Sequence, residues 1–234
     1  MGQMRNSLIF FILITTWLCS CGPTSNFRVR KVEEDGARQR SLIHDIEKKS
    51  GYSYIYEDTT YASHTGNGIT IQNSGPKVGN IEPGLPYVDA SGRRYFFAAF
   101  WTRIINGTET TMEFEVNFPA NEFPLSPPSD PYLKLLIPPD KMTVDKLPLY
   151  SYGLTGMKDF VDTNFDSATK LQKTIGPNEE HMFYIITISY QAGGPARASI
   201  TLKENELFYR ISMGAHGPLE IPCGRIALKS GDDS

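Results

Sequence analysis

The sequence predicts an all-β domain, an antiparallel β-sandwich, on three observations. Apolar residues recur with a period of two over several short stretches, and Met112-Glu-Phe-Glu-Val-Asn-Phe118 alternates most cleanly. Turn-forming residues separate those stretches at short intervals, with 20 Gly and 16 Pro in 234 residues. Helical periodicity is confined to a few brief segments, and no unit repeats along the chain. The length suits one domain of ordinary size, or one domain plus a tail, and 40% hydrophobic residues suffice to bury a core. A net charge of -3 without a clustered basic stretch leaves no footprint for nucleic acid.

Residues 41–50 read as a short helix. Ser41 can cap its start, Gly51 stands where a C-terminal cap belongs, and Leu42, Ile43 and Ile46 share a face. From residue 52 the period becomes two, as Tyr52, Tyr54 and Tyr56 alternate with Ser53, Ile55 and Glu57. Ile69-Thr-Ile-Gln72 is a strand between Gly-rich turns. Arg94 to Ile105 is a long strand, too apolar on both faces for a solvated edge, so Tyr95 and Trp101 are expected to be buried. Asn106-Gly107 is the strongest short hairpin signal, and it predicts that Met112–Phe118 returns alongside that strand.

Eight of the 16 Pro fall between residues 119 and 148, so this stretch reads as connection around one strand, Tyr132 to Ile137. Weak helical signals lie at Met157–Val161 and Ala168–Lys173. Strands are then expected at His181–Tyr190, Ala196–Leu202, Glu206–Met213 and Ile221–Lys229. Eight or nine short strands in this arrangement resemble an immunoglobulin-like sandwich with a short N-terminal helix and one or two small helices in connections, a small closed barrel being the alternative. The punctuation is also similar to that of uncharacterised sandwich domains on bacterial lipoproteins: a long strand, an Asn turn, an amphipathic strand, then Gly176-Pro-Asn-Glu-Glu180 leading into a core strand. That likeness carries no functional residue with it.

The N-terminus carries an address. Arg5 is followed by the apolar run Leu8 to Leu18, which is too short to span a bilayer as a helix. Leu18-Cys19-Ser20-Cys21 then resembles the lipobox of bacterial lipoproteins. The resemblance implies a diacylglycerol on the Cys21 sulfur, cleavage after Ser20 and acylation of the new amino group. Gly22, in place of Asp, implies the outer membrane. An ordinary cleaved signal peptide and an uncleaved anchor are the competing readings. The organisation expected is a signal peptide over 1–20, a lipidated, solvated tether over 21–40, one sandwich domain over 41–229 and a polar tail over 230–234. Cys19 leaves with the signal and Cys21 carries lipid, so Cys223 alone remains and no internal disulfide is possible. Removing residues 1–20 takes away only Arg5, leaving 22 basic against 26 acidic residues, a charge of -4. With no polybasic stretch, attachment rests on acyl chains.

Catalytic motifs are missing from the sequence: no G-x-S-x-G, H-E-x-x-H, P-loop, G-x-G-x-x-G or EF-hand loop occurs. Two S-x-x-K matches, Ser74–Lys77 and Ser167–Lys170, lack the accompanying motifs of serine acylases, and Pro76 interrupts the first. His181-Met182 with Met213 and His216 has the donors of a soft-metal (copper) site, against which stands the plain reading of Met182 and Met213 as core and His181 as a strand-end surface residue. Asn106-Gly-Thr108 matches a glycosylation sequon. Asp58-Thr-Thr60 and Asp166-Ser-Ala168 resemble a short bacterial O-glycosylation motif. Cys223 is expected to be a buried apolar residue. Tyr132, Tyr150 and Tyr152, in or beside the Pro-rich stretch, are the expected exposed binding face. The function expected is a lipid-anchored, non-enzymatic binding or structural domain without a cofactor, moored through Cys21 and meeting an envelope protein or glycan. The rival is an envelope enzyme or copper carrier assembled from distant residues.

Overall fold

A computed structural model describes residues 41–62, 68–125, 131–193 and 196–229. The lipobox residues Ser20 and Cys21, the tether and the 230–234 tail lie outside the described residues. The described chain forms two antiparallel sheets, an all-β sandwich, with two short α-helices. The larger sheet holds β1 (Ile55–Ala62), β2 (Gly68–Ser74), β5 (Arg94–Asn106), β10 (Glu180–Tyr190), β8 (Tyr132–Leu136) and β7 (Phe123–Pro124) in that order. The brief β3 (Lys77–Gly79) and β4 (Tyr87–Val88) pair beside β5. The smaller sheet runs β11 (Ala196–Lys203), β12 (Glu206–Met213), β13 (His216–Leu228), β6 (Met112–Phe118) and β9 (Thr169–Ile175). Helix α1 covers 41–50 and α2 Met157–Asn164.

Strand periodicity sorts the side chains into two cores. On β10, Phe183 and Ile185 point between the sheets, while Met182, Tyr184, Ile186 and Ile188 point to the other face. β5 does the same, with Ala98, Phe100 and Ile104 inward and Phe97, Ala99 and Trp101 outward. A third layer covers that outward face: Ile43 of α1, Met142, Leu147, Tyr152, and Met157 and Val161 of α2. This layer explains why β5 is apolar on both sides, and it buries Tyr95 and Trp101 as expected. On β6 the alternation reads as anticipated, with Met112, Phe114, Val116 and Phe118 buried between the sheets.

The Asn106-Gly107 hairpin does not form. β5 and β6 belong to different sheets, and the segment between them is a corner. Asn106 is the last residue of β5, fully buried and paired with Ile69. Its side chain is consumed by neighbours: Nδ2 donates to the carbonyls of Thr110, Ile175 and Gly176, and Oδ1 accepts from the amide and hydroxyl of Thr108. An amide so engaged is no glycosylation acceptor. Gly107 is required by close approach, since a Cβ there would stand 2.6 Å from the Gly68 carbonyl oxygen.

Three other expectations change. Residues 168–173 belong to strand β9, whose seven residues pair with β6, so the ladder overrides the weak helical signal. The Tyr52–Tyr56 alternation does not build one buried face, because β1 starts only at Ile55; Tyr54 is buried while Tyr52 and Tyr56 are exposed. β13 begins at His216 rather than Ile221. It carries a bulge at Cys223, where Leu207 pairs with Gly224 and Phe208 with Pro222. A Cβ on Gly224 would collide with the Glu115 carbonyl of β6, so the bulge needs glycine.

One seam between the sheets is clasped by Asn73 of β2. Its Nδ2 donates to the Ile200 carbonyl at 3.0 Å, and its Oδ1 accepts the Ile200 amide at 2.9 Å. The amide side chain thereby replaces a strand partner across 127 residues of sequence, and the Thr102 hydroxyl holds the same Oδ1.

Candidate functional site

Tyr150 and Tyr152 sit on one turn of unusual backbone. Ser151 (φ 44°), Tyr152 (φ 56°) and Gly153 (φ 75°) are left-handed in succession. The first two are L-residues with a Cβ, for which that conformation costs roughly 1–2 kcal/mol each. The surrounding layer holds it. Tyr152 Oη donates to the Gly75 carbonyl at 2.7 Å, and Tyr184 Oη donates to the Tyr152 carbonyl at 2.8 Å. The Lys77 ammonium donates to the carbonyls of Leu147 and Leu149 and lies 4.5 Å from the centre of the Tyr152 ring. Burial lowers the Lys77 pKa and pushes the Tyr152 hydroxyl up to about 12.

The strain has a visible product. Tyr152 turns inward, only 2% exposed, whereas Leu149 and Tyr150 are 49% and 47% exposed. Tyr152 is therefore a buried anchor of the turn rather than part of an exposed face, because its hydroxyl satisfies the Gly75 carbonyl and its ring carries Lys77. Tyr150 is fixed in its exposed pose by donating to the Asn80 carbonyl at 2.6 Å. Between this turn and the tight Glu82–Leu85 turn runs a groove of about 440 Å³ lined by Glu82, Pro83, Leu149, Tyr150 and Leu154. Leu85, which closes the Glu82–Leu85 turn, is also exposed. The strained, non-glycine turn thus holds Leu149 and Tyr150 rigidly over the groove.

Tyr132 lies in a different group. It is half-buried, its hydroxyl pairs with that of Tyr95 at 2.9 Å, and its ring meets Tyr190 at 5.5 Å. Asp89 closes this nest by accepting from Tyr95 Oη and from the amides of Ser91 and Arg93. A shelf of about 680 Å³ opens beside it at Tyr87, Asp89, Lys158, Asp162 and Asp166. The three sequence-nominated tyrosines thus do not form one face. Lys77 and Leu149, which build the turn, carry no sequence signal; Gly153 was the only hint of a positive φ there.

The nominated metal donors are not brought together. Met182 belongs to the outer core and Met213 to the core between the sheets. Among the described residues no group of three or more His, Cys, Asp or Glu is placed to hold a metal ion. His181, the second residue of β10, is half-buried against the rings of Phe114 and Phe183. Burial, with Lys173 and Lys141 adding repulsion, lowers its pKa to about 4. The folded state therefore binds fewer protons than the unfolded one between that value and the ordinary one near 6.5. Stability should fall as pH drops through this window and then level off. The urea midpoint measured from pH 7 to pH 4 should show that slope, and His181→Gln should flatten it; an unchanged slope in the variant would reject His181 as its source.

The Ser-Lys pairs are likewise separated. Ser74 Oγ accepts the Trp101 amide, while Lys77 serves the Leu147–Leu149 carbonyls. Lys170 pairs with Glu115. Cys223 is buried, as expected, its thiol donates to the Leu207 carbonyl at 3.4 Å, and burial pushes its pKa up to about 12. Among the described residues no helix is long and apolar enough to cross a membrane. No family model matches the chain, and no curated protein matches it either.

Proposed function

We propose that this chain is a lipid-anchored protein of the outer membrane whose sandwich domain binds a component of the envelope without catalysing a reaction on it. Two features support the reading. The Leu18-Cys19-Ser20-Cys21 segment after an eleven-residue run without charge has the order a lipidation signal requires. The observation that carries the binding role is the left-handed Ser151–Gly153 turn, which spends backbone strain to present Leu149 and Tyr150 beside a groove. The contact is rigid before binding, so little ordering entropy is lost on association.

The anchor is tested directly. Wild-type protein expressed with radiolabelled palmitate should incorporate label and fractionate with the outer membrane, and Cys21→Ser should lose both. Undiminished labelling of Cys21→Ser would remove the anchor from the reading, and a wild-type protein confined to the cytoplasm would remove the location.

A further inference from the structure

We infer that the upstream segment Asn26-Phe-Arg-Val-Arg-Lys-Val32 of the same chain docks as an added strand on the open edge of β10, in the cleft between that strand and the loop over 141–145. The edge is open because β8 stops short. β8 pairs with residues 186–190 of β10, and the last pair is Leu136 with Ile186. Beyond it the Ile137 amide donates to the Thr169 hydroxyl of β9, and Pro138 and Pro139 have no amide to give. Among the described residues no strand lies against 180–185 on that side. The Glu179 carbonyl accepts the Asn106 amide on the β5 side, so strand alternation turns the peptide groups of Glu180 and Met182 the other way. Among the described residues no backbone hydrogen bond outside the ladders reaches either of them. Met182 is buried all the same, and a buried peptide group without a partner is costly. Alternate residues left unpaired along a strand edge are satisfied by another extended backbone, the mode of β-strand addition.

The cleft beside this edge is a cavity of about 480 Å³ with an apolar wall built by Leu42 and Ile46 of α1, Met142, Val144 and Met182. Leu42 is 43% exposed on that wall, apolar surface without a cover. The charges around it, Lys141 against Asp145 and Glu180 against Arg103, offset one another, so backbone and apolar side chains do the selecting. The place where the described chain begins names the occupant. It starts at residue 41, next to Leu42, so the upstream chain arrives at the mouth of this cavity. Within residues 22–40 only Phe27 and Val29 are apolar residues two apart, with Arg28 and Arg30 on the opposite face of an extended chain. Phe27 and Val29 meet the apolar wall when the segment lies along β10. The nine steps from Val32 to Ser41 span at most roughly 30 Å, enough for the return.

Docking sets the reach of the tether, which is then solvated only in part. The twenty steps from Cys21 to Ser41 span at most roughly 70 Å when extended, whereas the five from Cys21 to Asn26 span at most roughly 18 Å. A docked segment therefore holds the domain close to the bilayer, and its release lets the domain move outward. This consequence rests on the anchoring reading above; the docking itself does not need the lipid.

Hydrogen exchange read by mass spectrometry on the full chain, purified from the envelope, tests the docking. The amides of 26–32 should exchange about tenfold or more slowly than those of a free peptide of the same sequence, independently of protein concentration. The double variant Phe27→Asp/Val29→Asp should abolish that protection. Leu42→Glu, a change at a half-exposed position of the cavity wall, should abolish it too, while the amides of β6 and β12 keep theirs. Exchange over 26–32 at the rate of the free peptide would overturn the docking and leave the cleft to water or to another protein's segment. Protection that grows with concentration would give the cleft to a second copy, and protection that survives Leu42→Glu would put the segment elsewhere; either result overturns the docking as well. A Cys21 found without lipid would instead remove the anchoring reading, and with it only the consequence for reach.

Discussion

Asn106→Ala is expected to destabilise the domain by about 3 kcal/mol or more. The residue is fully buried, and it serves five partners at the corner between the sheets. Truncation takes a partner from the carbonyls of Thr110, Ile175 and Gly176 and from the amide and hydroxyl of Thr108, although the Thr110 carbonyl keeps the Thr108 hydroxyl and the Gly176 carbonyl keeps the Glu179 amide. A buried polar group left without a partner costs about 1–3 kcal/mol, and these losses occur together. The effect reaches three strands, because Asn106 terminates β5, Thr110 leads into β6 and Ile175 ends β9. Asn106→Asp keeps the shape but replaces the donating amine with an oxygen facing three carbonyl oxygens, so it should do no better than alanine. Urea unfolding of the three proteins measures this. A loss below about 1 kcal/mol for the alanine variant, at unchanged m-value, would show that water substitutes for the side chain and that the corner does not depend on it.

The second large effect belongs to Arg103 and Glu180. The Arg103 side chain is fully buried on the outer face of β5, ion-paired to Glu180 of β10 and donating to Gln72 Oε1 at 3.0 Å. Its Nε has no partner. Glu180→Ala leaves a guanidinium enclosed without its counter-charge, and removing one member of such a pair costs about 3–5 kcal/mol. Arg103→Met should cost less, because the Glu180 side chain is 14% exposed and can be hydrated. The double variant Arg103→Met/Glu180→Leu should recover most of the loss of Glu180→Ala, since apolar replacement of a buried pair is often neutral or better. A double variant less stable than Glu180→Ala would instead make the pair a net contributor. Thermal unfolding of the three variants orders them.

Most strands were legible because their side chains obey a two-residue period and one face is buried. Met112–Phe118 shows this best: its four apolar residues all reach the core between the sheets. The apolarity of Arg94–Ile105 on both faces was visible too. Its cause, a capping layer gathered from residues 43 to 161, was not, because only the folded topology brings Ile43, Leu147 and Val161 onto one sheet face. Asn106-Gly107 misled for a related reason. The dipeptide favours a tight turn locally, yet the buried amide earns more by tying β5, β6 and β9 together than by closing a hairpin. The left-handed turn was half legible. Tyr150 was nominated from its place in a Pro-rich connection, but the reversal that buries Tyr152 beneath it depends on Lys77, which lies 72 residues from the Leu149 carbonyl it holds. No local rule connects the two.

The wide sequence separation of two central pairings, β5 with β10 and β6 with β13, has a bearing on delivery. β5 finds its central neighbour β10 only after the intervening chain has been laid down, and the Asn73 clasp waits for Ile200, 127 residues later. An emerging N-terminal half can therefore pair β1 to β5 but cannot complete the larger sheet or close the sandwich by itself. For a polypeptide threaded through a narrow secretion channel, as the proposed destination requires, this late assembly keeps the passenger slack until its final third is through.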